Sequence, residues 1–140
     1  MYNNYLIPYW QDRIYDNNVW KNIYNIPNDV LWNTHLTYKK KLIEEINKNV
    51  RRRMSENGAT YDEIVETVGK INENDLIIGF ARRFATYKRA TIIFEDLERL
   101  TQLLNDEKRP VKLVFAGKAH PADVMGQELI KRIDEVSKMP

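Results

Sequence analysis

The chain has 140 residues, enough for one ordinary domain or for part of a larger one. Its 22 Lys and Arg residues against 20 Asp and Glu residues leave a net charge of +2, which excludes binding to nucleic acid or to a membrane through bulk charge. Because the sequence contains no cysteine, disulfides, cysteine-based zinc sites and thiol nucleophiles are excluded.

The first 28 residues predict an irregular arm. They are rich in aromatic residues and asparagine and contain two prolines, so only one short helix, over residues 17–24, is expected. Because the side-chain oxygen of Asn28 can accept a free amide hydrogen, this residue is predicted to be the N-cap of a second helix.

A long amphipathic helix is predicted over residues 29–57. No Pro or Gly interrupts this stretch, apolar side chains recur in it at helical spacing, and Gly58 provides a C-terminal stop. Thr60 and Glu63 have the spacing of a capping box and predict a short helix over residues 60–68.

Beyond this irregular arm and helical segment, residues 1–69, the hydrophobic period changes. Residues 70–140 predict an α/β fold, because two apolar runs alternate with helical patterns. In order, the predicted elements are a strand at 76–81 covered on both faces, a helix at 87–105, a strand at 111–116 and a helix at 122–138. This βαβα order is typical of the first half of a Rossmann-like domain with a parallel sheet.

Four cations, including Arg82 and Arg83, lie within eight residues where the first predicted strand ends. In open α/β sheets, ligands bind beyond the carboxyl ends of the strands. Lys88 and Arg89 fall at the predicted start of a helix, where the macrodipole disfavours cations. A phosphate held by Arg83, Lys88 and the helix amides would remove that conflict, whereas solvated loop charges are the alternative interpretation.

The second strand is followed by Gly117 and Lys118, which are predicted to lie at the same edge of the sheet as the arginines. Taken alone, this segment is an ordinary turn, but together the two loops favour a crevice for a ligand. His35, on the long helix, is predicted to be packed or capped, and His120 has no carboxylate partner in the sequence. No metal site is expected.

Neither a leader nor a membrane span is predicted. The longest apolar run, residues 76–81, is far shorter than the roughly 20 residues that a membrane-spanning helix needs. The N-terminal residues lack the charged start and apolar stretch of a signal peptide, so a cytoplasmic protein is expected.

The stretches IIGFARRFATYKRATIIFEDLERL and PVKLVFAGKAHPAD closely resemble the start of the C-terminal domain of the α-glucan (glycogen and maltodextrin) phosphorylases, in their shorter bacterial and archaeal form. Upstream, IPYW and LWNTHLTYKKKLIEEI resemble the segment that leads into this domain. The resemblance covers nearly the whole chain.

This resemblance implies a GT-B fold, in which two Rossmann-like domains face each other across a cleft. It implies phosphorolysis of α-1,4-glucan to glucose 1-phosphate, with pyridoxal 5′-phosphate as the cofactor. At the positions that match the family motif, Arg83 and Lys88 would be the catalytic residues that hold the substrate phosphate. Arg82 would lie close to the cofactor phosphate, and Trp10 would border the cofactor pocket.

The chain also departs from the family. The lysine that forms the Schiff base with the cofactor belongs to a later motif than this sequence contains, and the N-terminal domain with much of the glucan site is absent. Before IPYW the chain has Asn3-Asn4-Tyr5-Leu6, where the family usually has Asn-Gly-Val-His. The chain alone is therefore expected to be inactive.

Two other interpretations remain open. A nucleotide-sugar glycosyltransferase of the GT-B type also has Arg and Lys after the first strand of this domain, where they hold a diphosphate. A non-catalytic half-domain would instead self-associate, because a two-stranded sheet leaves edges exposed. A homo-oligomer formed through the sheet edge is the corresponding expectation.

Overall fold

The structure is a computed structural model and describes residues 1–139. It divides the chain into two compact units, with the boundary between Glu73 and Asn74. The first unit contains α1 (Asn17–Trp20), α2 (Asn28–Glu56) and α3 (Tyr61–Thr67), with 3₁₀ turns at Tyr2–Asn4, Trp10–Arg13 and Lys21–Asn25. The second contains β1 (Leu76–Ala81), α4 (Leu97–Leu104), β2 (Val111–Ala116) and α5 (Val124–Ser137), with 3₁₀ turns at Thr86–Lys88 and Ile92–Phe94.

An aromatic cluster organises the N-terminal arm. The ring of Trp10 meets those of Tyr2 and Trp20 edge to face, with centroids 5.4 and 6.0 Å apart. Val19 beside them is fully buried, and Ile26 is nearly so. The predicted short helix is confirmed as α1 and the 3₁₀ turn that follows it.

The prediction that Asn28 caps the long helix is wrong. Asn28 is already helical, and Pro27 occupies the N-cap position with extended backbone and no side-chain cap. The carbonyl of Pro27 accepts the amide hydrogen of Leu31 at 3.1 Å, so the first turn closes without a side chain. The predicted stop is confirmed: α2 ends at Glu56, and Gly58 adopts a left-handed φ of 80°.

The capping box of α3 is confirmed. The Thr60 amide donates to Glu63 Oε2 at 2.7 Å, and the Glu63 amide donates to Thr60 Oγ1 at 3.4 Å. The hydrogen bond from the Thr60 backbone amide, followed by that from the Thr60 hydroxyl, lowers the pKa of the Glu63 carboxyl below its ordinary value.

The two strands have the predicted bounds and pair in parallel, with Gly79 opposite Val114 and Ala81 opposite Ala116. The α/β class is therefore confirmed, and the small sheet is compatible with part of a Rossmann-like domain. The prediction that β1 is covered on both faces is wrong for this chain. Leu76 and Ile78 are about half exposed. They lie on the face of the sheet that α4 packs against, and this eight-residue helix covers only part of that face.

The single helix predicted over residues 87–105 is also wrong. Arg89 has a left-handed φ of 52°, which ends the first turn and prevents a continuous helix. A second 3₁₀ turn follows, and α4 begins only at Leu97, where Asp96 Oδ1 accepts the Arg99 amide hydrogen at 2.9 Å. The last predicted helix is confirmed as α5, with Asp123 as its N-cap.

Candidate functional site

Two loops leave the carboxyl ends of the strands side by side. Residues 82–89, here called the cationic loop, follow β1, and residues 117–123, here called the glycine loop, follow β2. The strands are in register up to Ala81 and Ala116, so the loops begin at the same edge of the sheet. The predicted convergence of the two loops is confirmed by the structure.

Phe84 anchors the cationic loop to its surroundings. Its backbone amide donates to the carbonyl of Lys118 at 3.0 Å, which joins the two loops directly. Its ring is almost fully buried and stacks on Phe80 with centroids 5.4 Å apart. Ala85 beside it is buried as well. Buried residues thus hold the loop in place, while the side chains of its three arginines are exposed.

The side chains of Arg82, Arg83 and Lys118 are exposed. Within residues 1–139, none of these three forms an ion pair or a side-chain hydrogen bond. Lys88 is half-buried, and its Nζ lies over the ring of Tyr87 at 5.6 Å from the centroid. The edge therefore carries several cations whose charge no carboxylate of the described residues neutralises.

The helix whose amides were predicted to contribute to anion binding does not begin beside Lys88 and Arg89. The first α-helix after the cationic loop begins at Leu97, so Lys88 and Arg89 do not stand at an α-helix N-terminus. The predicted conflict between cations and a macrodipole is therefore wrong. The cationic loop therefore contributes side-chain charge, and not α-helix amides, to an anion site.

The two histidines have structural partners. His120 lies in the glycine loop, where its Nδ1 accepts the Ala122 amide hydrogen at 3.1 Å. His35 is exposed on α2 and stacks on Trp32, with ring centroids 5.3 Å apart. Of the residues that the structure describes, no three His, Asp or Glu side chains form a group that could hold a metal ion.

Trp10, predicted to border a cofactor pocket, lies in the first unit. Its indole N–H donates to Asn3 Oδ1 at 2.9 Å, and its ring is part of the aromatic cluster described above. In the described part of the chain, no helix is both long enough and apolar enough to cross a membrane.

Two residues of the site were missed from the sequence. Phe84 is a large apolar residue in a loop rich in cations, and that contrast is a signal for burial. Gly126 lies in the first turn of α5 and is buried against the cationic loop. A glycine inside a predicted helix costs about 1 kcal/mol relative to alanine and so indicates a packing role.

The chain is 46% identical over 131 residues to the maltodextrin phosphorylase of Thermococcus litoralis, a match that covers 94% of this chain and 15% of that protein. The glycogen phosphorylases of Aquifex aeolicus and Mycobacterium tuberculosis are 41% and 38% identical over 122 residues. These matches cover 87% of the chain and 18% and 14% of the two proteins. No protein-family model and no solved structure matches the chain.

The fold identifies the second unit as part of an α/β protein with a parallel sheet and a cationic edge. The relatives narrow this class further: the chain is similar to a short segment of the glycogen and maltodextrin phosphorylases. The resemblance predicted from the sequence is thereby confirmed.

Proposed function

We propose that the chain is a segment of an α-glucan phosphorylase and provides part of its phosphate site. In the whole protein the reaction would be phosphorolysis of α-1,4-glucan to glucose 1-phosphate, on a GT-B fold in the cytoplasm. Residues 70–140 would form the first half of its C-terminal Rossmann-like domain. The observation that carries the proposal is the convergence of unneutralised cations at one sheet edge, in a chain similar to named phosphorylases.

Arg83 and Lys88 are the proposed ligands of the substrate phosphate. A planar guanidinium suits two oxygens of a phosphate at once, and an ammonium adds a point charge. Fixed cations at this edge would also stabilise negative charge that develops as the glycosidic bond breaks. Lys118 stands on the neighbouring loop and would raise the local positive potential.

Arg82 is the proposed contact to the phosphate of pyridoxal 5′-phosphate. Its exposed guanidinium, without an ion pair among the described residues, is a donor suited to a phosphate monoester. When bound, this cofactor supplies a phosphate group that can donate and accept a proton. Trp10 is proposed for the cofactor pocket from the family resemblance. The chain lacks the motif that carries the Schiff-base lysine, so we propose that it is inactive alone.

The phosphorylase interpretation is favoured over a nucleotide-sugar transferase because the relatives described above carry phosphorylase names. Self-association through the edge of the two-stranded sheet remains a second proposal for the chain by itself. The half-exposed Leu76 and Ile78 of β1 support it, because burying them would remove apolar surface from water.

Calorimetric titration of the chain with inorganic phosphate at low salt tests the proposed site. Saturable binding is expected, and Arg83→Ala should weaken it by about tenfold or more, since a hydrogen bond to a charged group contributes about 1.5–3 kcal/mol. Arg99→Ala, which removes an exposed arginine of α4, is the matched control and should bind like the unaltered chain. Equal losses in both variants, or no binding at all, would contradict the proposal.

The proposed inactivity has its own test. Chain supplied with pyridoxal phosphate, glucan and phosphate should release no glucose 1-phosphate above a blank without protein. Release above that blank would show that the chain carries the whole catalytic apparatus and would overturn this part of the proposal.

A further inference from the structure

The backbone of the cationic loop is held on both sides of Arg83 by close approaches to two glycines. On one side, a Cβ added to Gly117 would lie 2.1 Å from the carbonyl oxygen of Arg82. It would also come within 3.1 Å of the Phe84 ring. The backbone φ of Gly117 is not left-handed, so the requirement for glycine here is one of space.

On the other side, Gly126 of α5 approaches the carbonyl oxygen of Phe84. A Cβ at this position would lie 2.7 Å from that oxygen and 2.9 Å from Asp123 Oδ2. The Gly126 amide also donates to Asp123 Oδ1 at 2.9 Å, which fixes the first turn of the helix. An added methyl group could not be accommodated unless the loop or the helix moved.

These contacts involve the backbone carbonyls of Arg82 and Phe84, the residues on either side of Arg83. The buried ring of Phe84 and its amide hydrogen bond to Lys118 hold the same segment. The backbone that carries Arg83 therefore has little freedom to shift, although the Arg83 side chain itself is exposed. Anion binding gains when its donors are held in place before the ligand arrives.

We infer that Gly117 and Gly126 are positioning residues for Arg83, in an anion site whose ligand is a phosphate. This inference rests on the proposed function for the identity of the ligand. The two glycines would not contact the ligand themselves, but would hold the backbone that places Arg83. Gly79 of β1 offers a matched control, because a Cβ there meets no atom within 4 Å.

The first test measures the positioning without ligand. In Gly117→Ala, hydrogen exchange of the Phe84 amide, followed by NMR, should become about tenfold faster or more, because its hydrogen bond to Lys118 is displaced. In Gly79→Ala the exchange rate should stay within about twofold of the unaltered chain. Equal rates in the two variants would overturn the inference, whether or not phosphate binds.

The second test measures the coupling to Arg83. Gly117→Ala should weaken phosphate binding by about tenfold or more, and adding Arg83→Ala to it should cost less than about threefold further. In the Gly79→Ala background, Arg83→Ala should keep its full effect. Additive losses in the Gly117→Ala background would overturn the inference, because they would show that Gly117 acts independently of Arg83.

If circular dichroism shows that Gly117→Ala does not fold, Gly126→Ala, whose closest backbone contact is longer, takes its place in both tests with the same expected results. Phosphate binding that is absent from the unaltered chain would contradict the proposed function. The exchange rate of the Phe84 amide would still decide the positioning role.

Discussion

The two units of the chain are organised by contacts of different range. In the first, the 29-residue helix α2 contains no buried residue, and neighbours along the helix supply pairs such as Arg52 with Glu56 at 3.0 Å. In the second, pairing of Leu76 with Val111 and of Phe84 with Lys118 joins distant parts of the chain. The second arrangement brings charged residues of like sign from separate segments to one edge of a sheet, which is what an anion-binding site needs.

The largest effect should come from the core of the second unit. Leu100→Ala removes a nearly buried side chain of α4 and should lower the free energy of unfolding by about 2–5 kcal/mol. Leu103→Ala, on the same helix but about half exposed, should cost much less. Urea unfolding followed by circular dichroism measures the stability of both variants. Equal losses of stability would contradict the burial of Leu100 in the core.

At its exposed positions, helix α2 should respond mainly to helix propensity, because burial does not mask it there. Lys48→Gly at an exposed position should cost about 1 kcal/mol, whereas Lys48→Ala should be neutral or slightly stabilising. The loss of helical ellipticity on heating measures the two variants. A glycine variant indistinguishable from the alanine variant would mean that contacts other than local ones stabilise this helix.

The capping box of α3 should make stability depend on pH. Because the pKa of Glu63 is lowered in the folded chain, its contribution is complete above the pKa of the unfolded chain. The contribution is lost as the pH falls through the lower folded value. Thr60→Val removes the hydroxyl but not the backbone amide, so NMR titration of Glu63 should show a pKa that rises part of the way towards the ordinary value. An unchanged pKa would contradict the contribution of the hydroxyl.

The smallest effect is expected at the left-handed residue of the cationic loop. Arg89→Gly should raise the free energy of unfolding by roughly 0.5 kcal/mol, because glycine adopts a positive φ without strain. Arg99→Gly in α4 should instead lower it by about 1 kcal/mol. Thermal unfolding compares the two variants, and a shift in the same direction for both would contradict the strain assigned to Arg89.

The strands and most helices of this chain could be predicted from the sequence, because hydrophobic periodicity and capping residues lie within or next to the element that they specify. The bounds of both strands follow from apolar runs that end at polar residues or glycine, and the capping box follows from the spacing of Thr60 and Glu63. The prediction of one continuous helix over residues 87–105 was wrong, because nothing in the local sequence pattern indicates that Arg89 has a left-handed backbone.

The site was predictable in its residue types but not in its geometry. Cations after a strand point to an anion, and the family resemblance predicts which ones would hold it. The need for glycine at position 117 arises from the approach of Arg82, a residue far away in the sequence. Such a contact leaves no periodic or compositional trace, so only a three-dimensional structure can reveal it.

The most direct test of the central claim is an NMR titration of the chain with inorganic phosphate, read at every assigned backbone amide. The proposed site predicts saturable shifts in the cationic loop and the glycine loop, centred on Arg83 and Lys118, and no comparable shifts in the first unit. Shifts centred instead on the other basic cluster, Arg51 to Arg53 of α2, would contradict the claim. The same conclusion would follow if no amide shifted.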